Sequence, residues 1–293
     1  MTLTLSDILF PLKALLKAMQ RFNNKNGWVY CSHMAMSLLM ALFPFILFII
    51  SLAGFLSQNI PVSDVNNLIF GAWPDAIARP IEAEVRSVVE GASTSLLTFG
   101  GLFAIYFASN GIDAIRLAMT SGYRETDPRP FYKTRLIAIA FVVVGALVVV
   151  VSAAMQLALP IYLEFFQKTF PIAAFDNLSV GGLRFANWLL TGLFLVGMVT
   201  AFHMWLPGHR IPLRQALPGV ALTIFLWVAG GRVFAYYLSH FATYGATYAG
   251  LAGVIATLIF LYFMAAILIV GAEFNGILIA REKEKQQEDA GED

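Results

Sequence analysis

Two short polar stretches break long apolar runs, and any chemistry in this chain must begin there. Ala108-Ser109-Asn110-Gly111-Ile112-Asp113-Ala114-Ile115-Arg116 sets Ser109, Asp113 and Arg116 at i, i+4 and i+7, on one face of a helix. Gly271-Ala272-Glu273-Phe274-Asn275 carries a second carboxylate and an amide into another apolar run. Arg232 stands alone behind Gly230-Gly231, two glycines that would allow close helix approach. Ionisable groups in apolar surroundings are costly, so each is a candidate for holding a polar or charged substrate group. The structural alternative stands beside it. Asp113 and Glu273 could act together at similar depth, locking helix ends through Arg116, Arg135, Arg210 or Arg214, and Arg232 could snorkel to an interface.

Catalytic constellations are missing from the sequence. His33, His203, His209 and His240 show no metal-ligand spacing such as HxxxH or HExxH. There is no GxxxxGK[ST] phosphate loop, no GxSxG elbow and no acidic cluster of the two-metal kind. Cys31 is the only cysteine, so no internal disulfide and no cysteine-based metal site is available. A lone Ser or His in an apolar helix reads first as packing. The expectation is a protein that is not an enzyme, with no cofactor and no bound metal.

The elements that position these residues are membrane spans. No Asp, Glu, Lys or Arg lies between Lys25 and Asp64, Glu90 and Asp113, Arg135 and Glu164, Arg184 and Arg210, Arg214 and Arg232, or Arg232 and Glu273. About 20 apolar residues cross the hydrocarbon layer, and five of these six gaps reach that length. Hydrophobic residues make up 59% of the chain and charged ones 13%, about half the charge of an average soluble domain. The expected fold is an all-α, polytopic bundle of six spans, near Val29–Leu56, Ser95–Leu117, Leu136–Tyr162, Phe185–Leu206, Gln215–Leu238 and Ala249–Ile279. Pro44 should kink the first span. That first run is too long for a cleaved signal peptide, so no leader is expected.

Orientation follows from the basic residues. Fourteen of the 19 Lys and Arg fall on one side of a six-span arrangement: the N-terminal segment, the second-to-third loop, the fourth-to-fifth loop and the tail. Arg79, Arg86, Lys168, Arg184 and Arg232 take the other. Both termini are therefore expected in the cytoplasm, and an odd number of spans would spoil the asymmetry. Three regions result: residues 1–27, 28–280 and 281–293. In the first, Ile8, Leu9, Leu12, Leu15, Leu16, Met19 and Phe22 recur at helical spacing opposite Lys13, Lys17, Gln20 and Arg21, a basic amphipathic helix in the membrane interface. A short helix over 80–90 should cover the outer mouth, Tyr244 and Tyr248 should be interface anchors, and 281–293 should be a frayed, disordered tail.

Leu42-Phe43-Pro44, Ala108-Ser109-Asn110-Gly111, Tyr123-Arg124, Trp205-Leu206-Pro207, Arg210-Ile211-Pro212, Ala216-Leu217-Pro218-Gly219 and Gly271-Ala272-Glu273-Phe274-Asn275 occur in an order that resembles the YihY/virulence factor BrkB family. The resemblance covers about Trp28 to Ala280 and implies a six-helix protein of the bacterial inner membrane, linked to serum resistance and to lipid or lipopolysaccharide export. Many members also carry the name ribonuclease BN, which this sequence does not favour because it lacks metal ligands for phosphodiester cleavage. The leading expectation is transport or flipping of an amphiphilic, lipid-like or anionic substrate without an ATPase of its own. A non-transporting scaffold of an envelope complex is the alternative, and a ribonuclease stands third. Membrane lipids are the expected partners and nucleic acid is not; oligomeric state is not legible.

Overall fold

The computed structural model describes residues 5–56, 94–123, 126–169, 180–241 and 251–291. Expectations for the helix over 80–90 and for Tyr244 and Tyr248 lie outside these residues. The described chain is all-helical apart from short connections. In order the helices are α1 Leu5–Asn24, α2 Gly27–Leu56, α3 Thr94–Gly122, α4 Phe131–Thr169, α5 Val180–Trp205, α6 Leu213–Phe241 and α7 Leu251–Gly291. Among the described residues four stretches are long and apolar enough to cross a membrane: Phe131–Val149, Trp188–Trp205, Leu213–Leu238 and Gly253–Glu288. α2 and α3 run 30 and 29 residues. At about 1.5 Å per residue each exceeds the ~30 Å hydrocarbon thickness, so the architecture is compatible with six crossings.

α2 packs most extensively on α3, and α7 is the hub that touches α1, α2, α3 and α6. The core joins Met34, Met119, Val199, Leu206 and Leu268, contributed by α2, α3, the α5 end and α7. Outward faces stay apolar: Val144, Leu147, Leu193 and Phe225 are exposed large hydrophobics. A soluble protein rarely tolerates so much continuous apolar surface, whereas lipid does. α2 runs through Pro44 as one helix.

Two glycine pairs set the closest helix contacts. A Cβ on Gly271 would strike Thr223 Oγ1, and one on Gly219 would strike the Gly271 carbonyl, so α6 and α7 meet backbone to backbone. A Cβ on Gly276 would come 2.8 Å from the Gly122 carbonyl, bringing the α3 end onto α7. The Trp227 indole N–H donates to the Met264 carbonyl at 2.9 Å, a further α6–α7 pin.

α1 turns into α2 through Asn26, whose φ of 56° lies in the left-handed region that Asn tolerates. Its Ala14 and Ala18 pack on Phe274 and Ile277 of α7, while Leu12, Leu16 and Met19 remain exposed. The helix is thus amphipathic in three sectors: a packed face, a free apolar face and a basic one with Lys13 and Lys17. At the other end α7 continues as helix to Gly291, past the expected frayed tail. Strong helix formers fill that stretch. Arg281 lies 3.6 Å from the Phe10 ring centroid, and Gln215 donates to Glu282 at 3.2 Å, tying the extension to α1 and α6.

Candidate functional site

Three polar assemblies gather near one end of the bundle. The first surrounds Asp127, in the connection between α3 and α4. Arg129 holds its carboxylate with two side-chain bonds, Nε to Oδ1 at 2.7 Å and Nη2 to Oδ2 at 2.8 Å, and a backbone bond at 3.0 Å. Arg116 reaches the same group at 2.5 Å and pairs with Asp113 at 2.7 Å. Arg129 also donates to the carbonyls of Trp205 and Leu206, at 3.1 and 2.7 Å. Those carbonyls lie at the end of α5, where helical acceptors run out of partners. Burial alone would raise the Asp127 carboxyl, but the hydrogen bonds from Arg129 and Arg116, with the Arg129 charge, outweigh it and hold the pKa at about 2.

The second assembly is a buried chain of hydrogen bonds. The Gly219 N–H donates to Asn275 Oδ1 at 2.6 Å. Asn275 Nδ2 donates to the Ala216 carbonyl and to Tyr123 Oη, both at 2.8 Å. Tyr123 Oη and His203 Nδ1 are 2.7 Å apart. The Gly219 N–H fixes the orientation of the Asn275 amide, while donor and acceptor between Tyr123 and His203 follow the ring tautomer. A flipped amide would face the Gly219 donor with another donor. One side chain therefore joins α3, α5 and α6 to α7. His203 Nε2 finds no partner among the described residues.

The third is an ion pair. Lys25, in the turn between α1 and α2, sits 3.1 Å from Glu273 Oε1 and donates to the Ser121 carbonyl at 3.0 Å. Glu273 is almost wholly buried.

The residues singled out in the sequence are thus divided. Ser109 is buried and donates to the Tyr106 carbonyl at 2.7 Å. Asn110 accepts from Arg135 at 2.6 Å, and Arg135 also lies 4.4 Å from the Tyr106 ring centroid. Asp113 meets Arg116, while Glu273 meets Lys25, which is not among the four arginines considered. The two acids therefore sit in separate ion pairs, because Lys25 enters from the α1–α2 turn, a contact that no spacing within α7 reveals. Arg232 is exposed on α6, and no described residue forms an ion pair with it. A Cβ on its neighbour Gly231 would meet nothing within 4 Å, so that glycine makes no close approach. Sequence reasoning missed His203, Tyr123 and Asp127 as network members. The Tyr123-Arg124 and Trp205-Leu206-Pro207 landmarks were the only pointers to them.

Beside the Asp127 assembly, a groove of about 600 Å³ opens between α4 and α5. Ile137, Phe141, Val144 and Val148 wall one side, and Phe194 and Met198 the other. Gly208, Arg129, His209 and Arg210 form one end. Among the described residues no group of His, Cys, Asp and Glu is arranged to hold a metal ion.

An all-helical bundle with lipid-like outer faces and a buried chain of polar bonds between its helices defines an integral, multi-pass membrane protein. The sequence profile of the virulence factor BrkB family matches residues 18–293, and the chain belongs to that family. It is similar to the ribonuclease-like protein YfkH of Bacillus subtilis (strain 168), 26% identical over 90% of this chain and 94% of that protein. It is also similar to a UPF0761 membrane protein of Pseudoalteromonas atlantica, 23% identical over 85% of this chain and 80% of that one. A UPF0761 membrane protein of Alkalilimnicola ehrlichii is 36% identical over 34% of this chain, and the match spans only 23% of that protein. No solved structure matches.

Proposed function

We propose that this protein binds an anionic amphiphile and moves it between the leaflets of a bacterial inner membrane, with both termini cytoplasmic and no ATPase of its own. The observation that carries the reading is the α4–α5 groove, whose apolar walls end in Arg129, His209 and Arg210. An amphiphile needs both: a dry surface for its chain and a cationic rim for its headgroup. A scaffold that only holds partners requires neither. The ribonuclease-like name of the Bacillus relative adds no support for nucleolysis here, because the described residues offer no metal-binding cluster.

The test is reconstitution. Vesicles with and without the protein carry a trace of lipid labelled on its headgroup, and an impermeant reductant bleaches the outer leaflet. With protein present, the protected half of an anionic labelled lipid should become accessible much faster than in empty vesicles. Equal rates in the two preparations, for anionic and zwitterionic labels alike, would remove the transport reading and leave the scaffold.

A further inference from the structure

We infer that the α4–α5 groove is a binding site for one acyl chain of a lipid whose anionic headgroup sits on Arg210. This deepens the reading above, since it names the ligand of the same groove, yet the site can be tested apart from transport.

Length is the first argument. From Ile137 to Val148 the helix rises about 16 Å at 1.5 Å per residue, close to half of the ~30 Å hydrocarbon core. One acyl chain of one leaflet spans that distance. The glycines supply the second. Gly145 and Gly197 both line the groove. A Cβ on Gly197 would meet nothing within 4 Å, and one on Gly145 would meet only Met198 Cε, at 3.9 Å. Glycine inside a helix is unfavourable relative to alanine, and here no close helix approach offsets it. What the two glycines provide is width.

Charge is the third argument. Arg129 is already committed to Asp127 and to the Trp205 and Leu206 carbonyls, so it positions the mouth. Arg210, two residues past Gly208, is exposed and forms no ion pair among the described residues. Its planar fork suits a phosphate or phosphodiester. Membrane-facing Val144 lines the same groove, so a lipid can enter sideways from its leaflet.

Trp205 lines the groove and is half exposed, which makes it the reporter. The full-length protein in detergent is titrated with lipids brominated in mid-chain, carrying either phosphatidylglycerol or phosphatidylcholine headgroups. The Trp205 signal is the difference between wild type and Trp205→Phe. Phosphatidylglycerol should quench it at about five-fold lower concentration than phosphatidylcholine. Arg210→Ala should bring the two headgroups together, and Gly197→Leu, whose Cβ meets open space and whose side chain lies in the groove, should abolish quenching by both. Glycerol phosphate without a chain should not compete. Equal quenching by both headgroups in the wild type, or quenching that survives Gly197→Leu, overturns the site. So does a Trp205 shielded by a second copy, seen as a dimer that Gly197→Leu dissociates. The two readings fail separately. Quenching as expected without flipping in vesicles leaves the site and sinks transport. Flipping in vesicles together with quenching that survives Gly197→Leu sinks the site alone.

Discussion

Asp127 shows how much a single side chain can organise. Its carboxylate ties Arg116 of α3 to Arg129, and through Arg129 it caps the carbonyl end of α5. Because its folded pKa is about 2 against an ordinary 3.8, the folded state holds fewer protons between those values. The contribution, about 2 kcal/mol, is therefore complete above about pH 4, falls as pH drops toward 2 and is absent below that. Asp127→Asn should lower the melting temperature in detergent at pH 7, and the gap to wild type should close as pH falls through that window. A gap that is constant with pH would show that the charge is not what matters. Asn275 is the second organiser. Removing it deprives Gly219 and Ala216 of a side-chain partner and Tyr123 of one of its bonds, at roughly 1–3 kcal/mol for a buried group left unsatisfied. Asn275→Ala and His203→Ala act through the same tyrosine, so the double variant should be clearly less than additive. By contrast Asp113→Asn and Glu273→Gln lie in separate ion pairs and should add within about 0.5 kcal/mol in chemical denaturation. Coupling between those two acids, or full additivity between Asn275 and His203, would contradict the networks described above.

At the scale of elements, small residues decide where helices touch. Gly271→Ala drives a methyl into Thr223 and the α6 backbone, so it should lower stability by at least about 2 kcal/mol. Gly231→Ala meets open space and should be neutral or raise stability by up to about 1 kcal/mol through helix propensity. Thermal unfolding of the two variants separates them, and similar losses would mean that the α6–α7 contact is elsewhere. The sequence drew attention to Gly230-Gly231; of the two only Gly230 approaches α7, where a Cβ would come 3.3 Å from Ile267, and the tightest approach uses Gly219 and Gly271, which are isolated in their helices. The reason is general. Charge-free length and helical periodicity are properties of one segment, so the helices themselves were legible. Which faces meet is a property of two segments, and a single chain records it weakly. The same limit explains the site. Arg116 as the neighbour of Asp113 is i+3 and readable along one helix, whereas Lys25 on Glu273 and Tyr123 on His203 join residues 248 and 80 positions apart. The start of the tail shows the same limit: its alternating charges suggested a frayed end, whereas α7 runs on as helix, with Arg281 on Phe10 and Glu282 accepting from Gln215.

For the whole molecule the question is how many times it crosses the membrane and which end faces inward. The helices described here are compatible with six crossings, and 14 of 19 basic residues fall on one side only if the count is even. With six, the basic connection between α3 and α4, the one between α5 and α6, and both termini share the cytoplasm. The Asp127 assembly and the Arg210 mouth would then lie at the inner leaflet, where anionic lipid is met first. Cysteine labelling in intact cells checks this directly. Cys31 is wholly buried and should stay silent, so the natural chain can serve as the background. Asp75→Cys and Asn177→Cys should react with an impermeant maleimide from outside. Lys133→Cys and Lys285→Cys should react only after the membrane is opened. An odd number of spans would move the C-terminal half to the other side, so Lys285→Cys would label in intact cells while Lys133→Cys stayed protected. That one pattern would reverse the orientation of α7 and contradict the bonds that join Asn275 to Tyr123 and, through it, to His203, so the six-span arrangement and the packing of α7 would fall together.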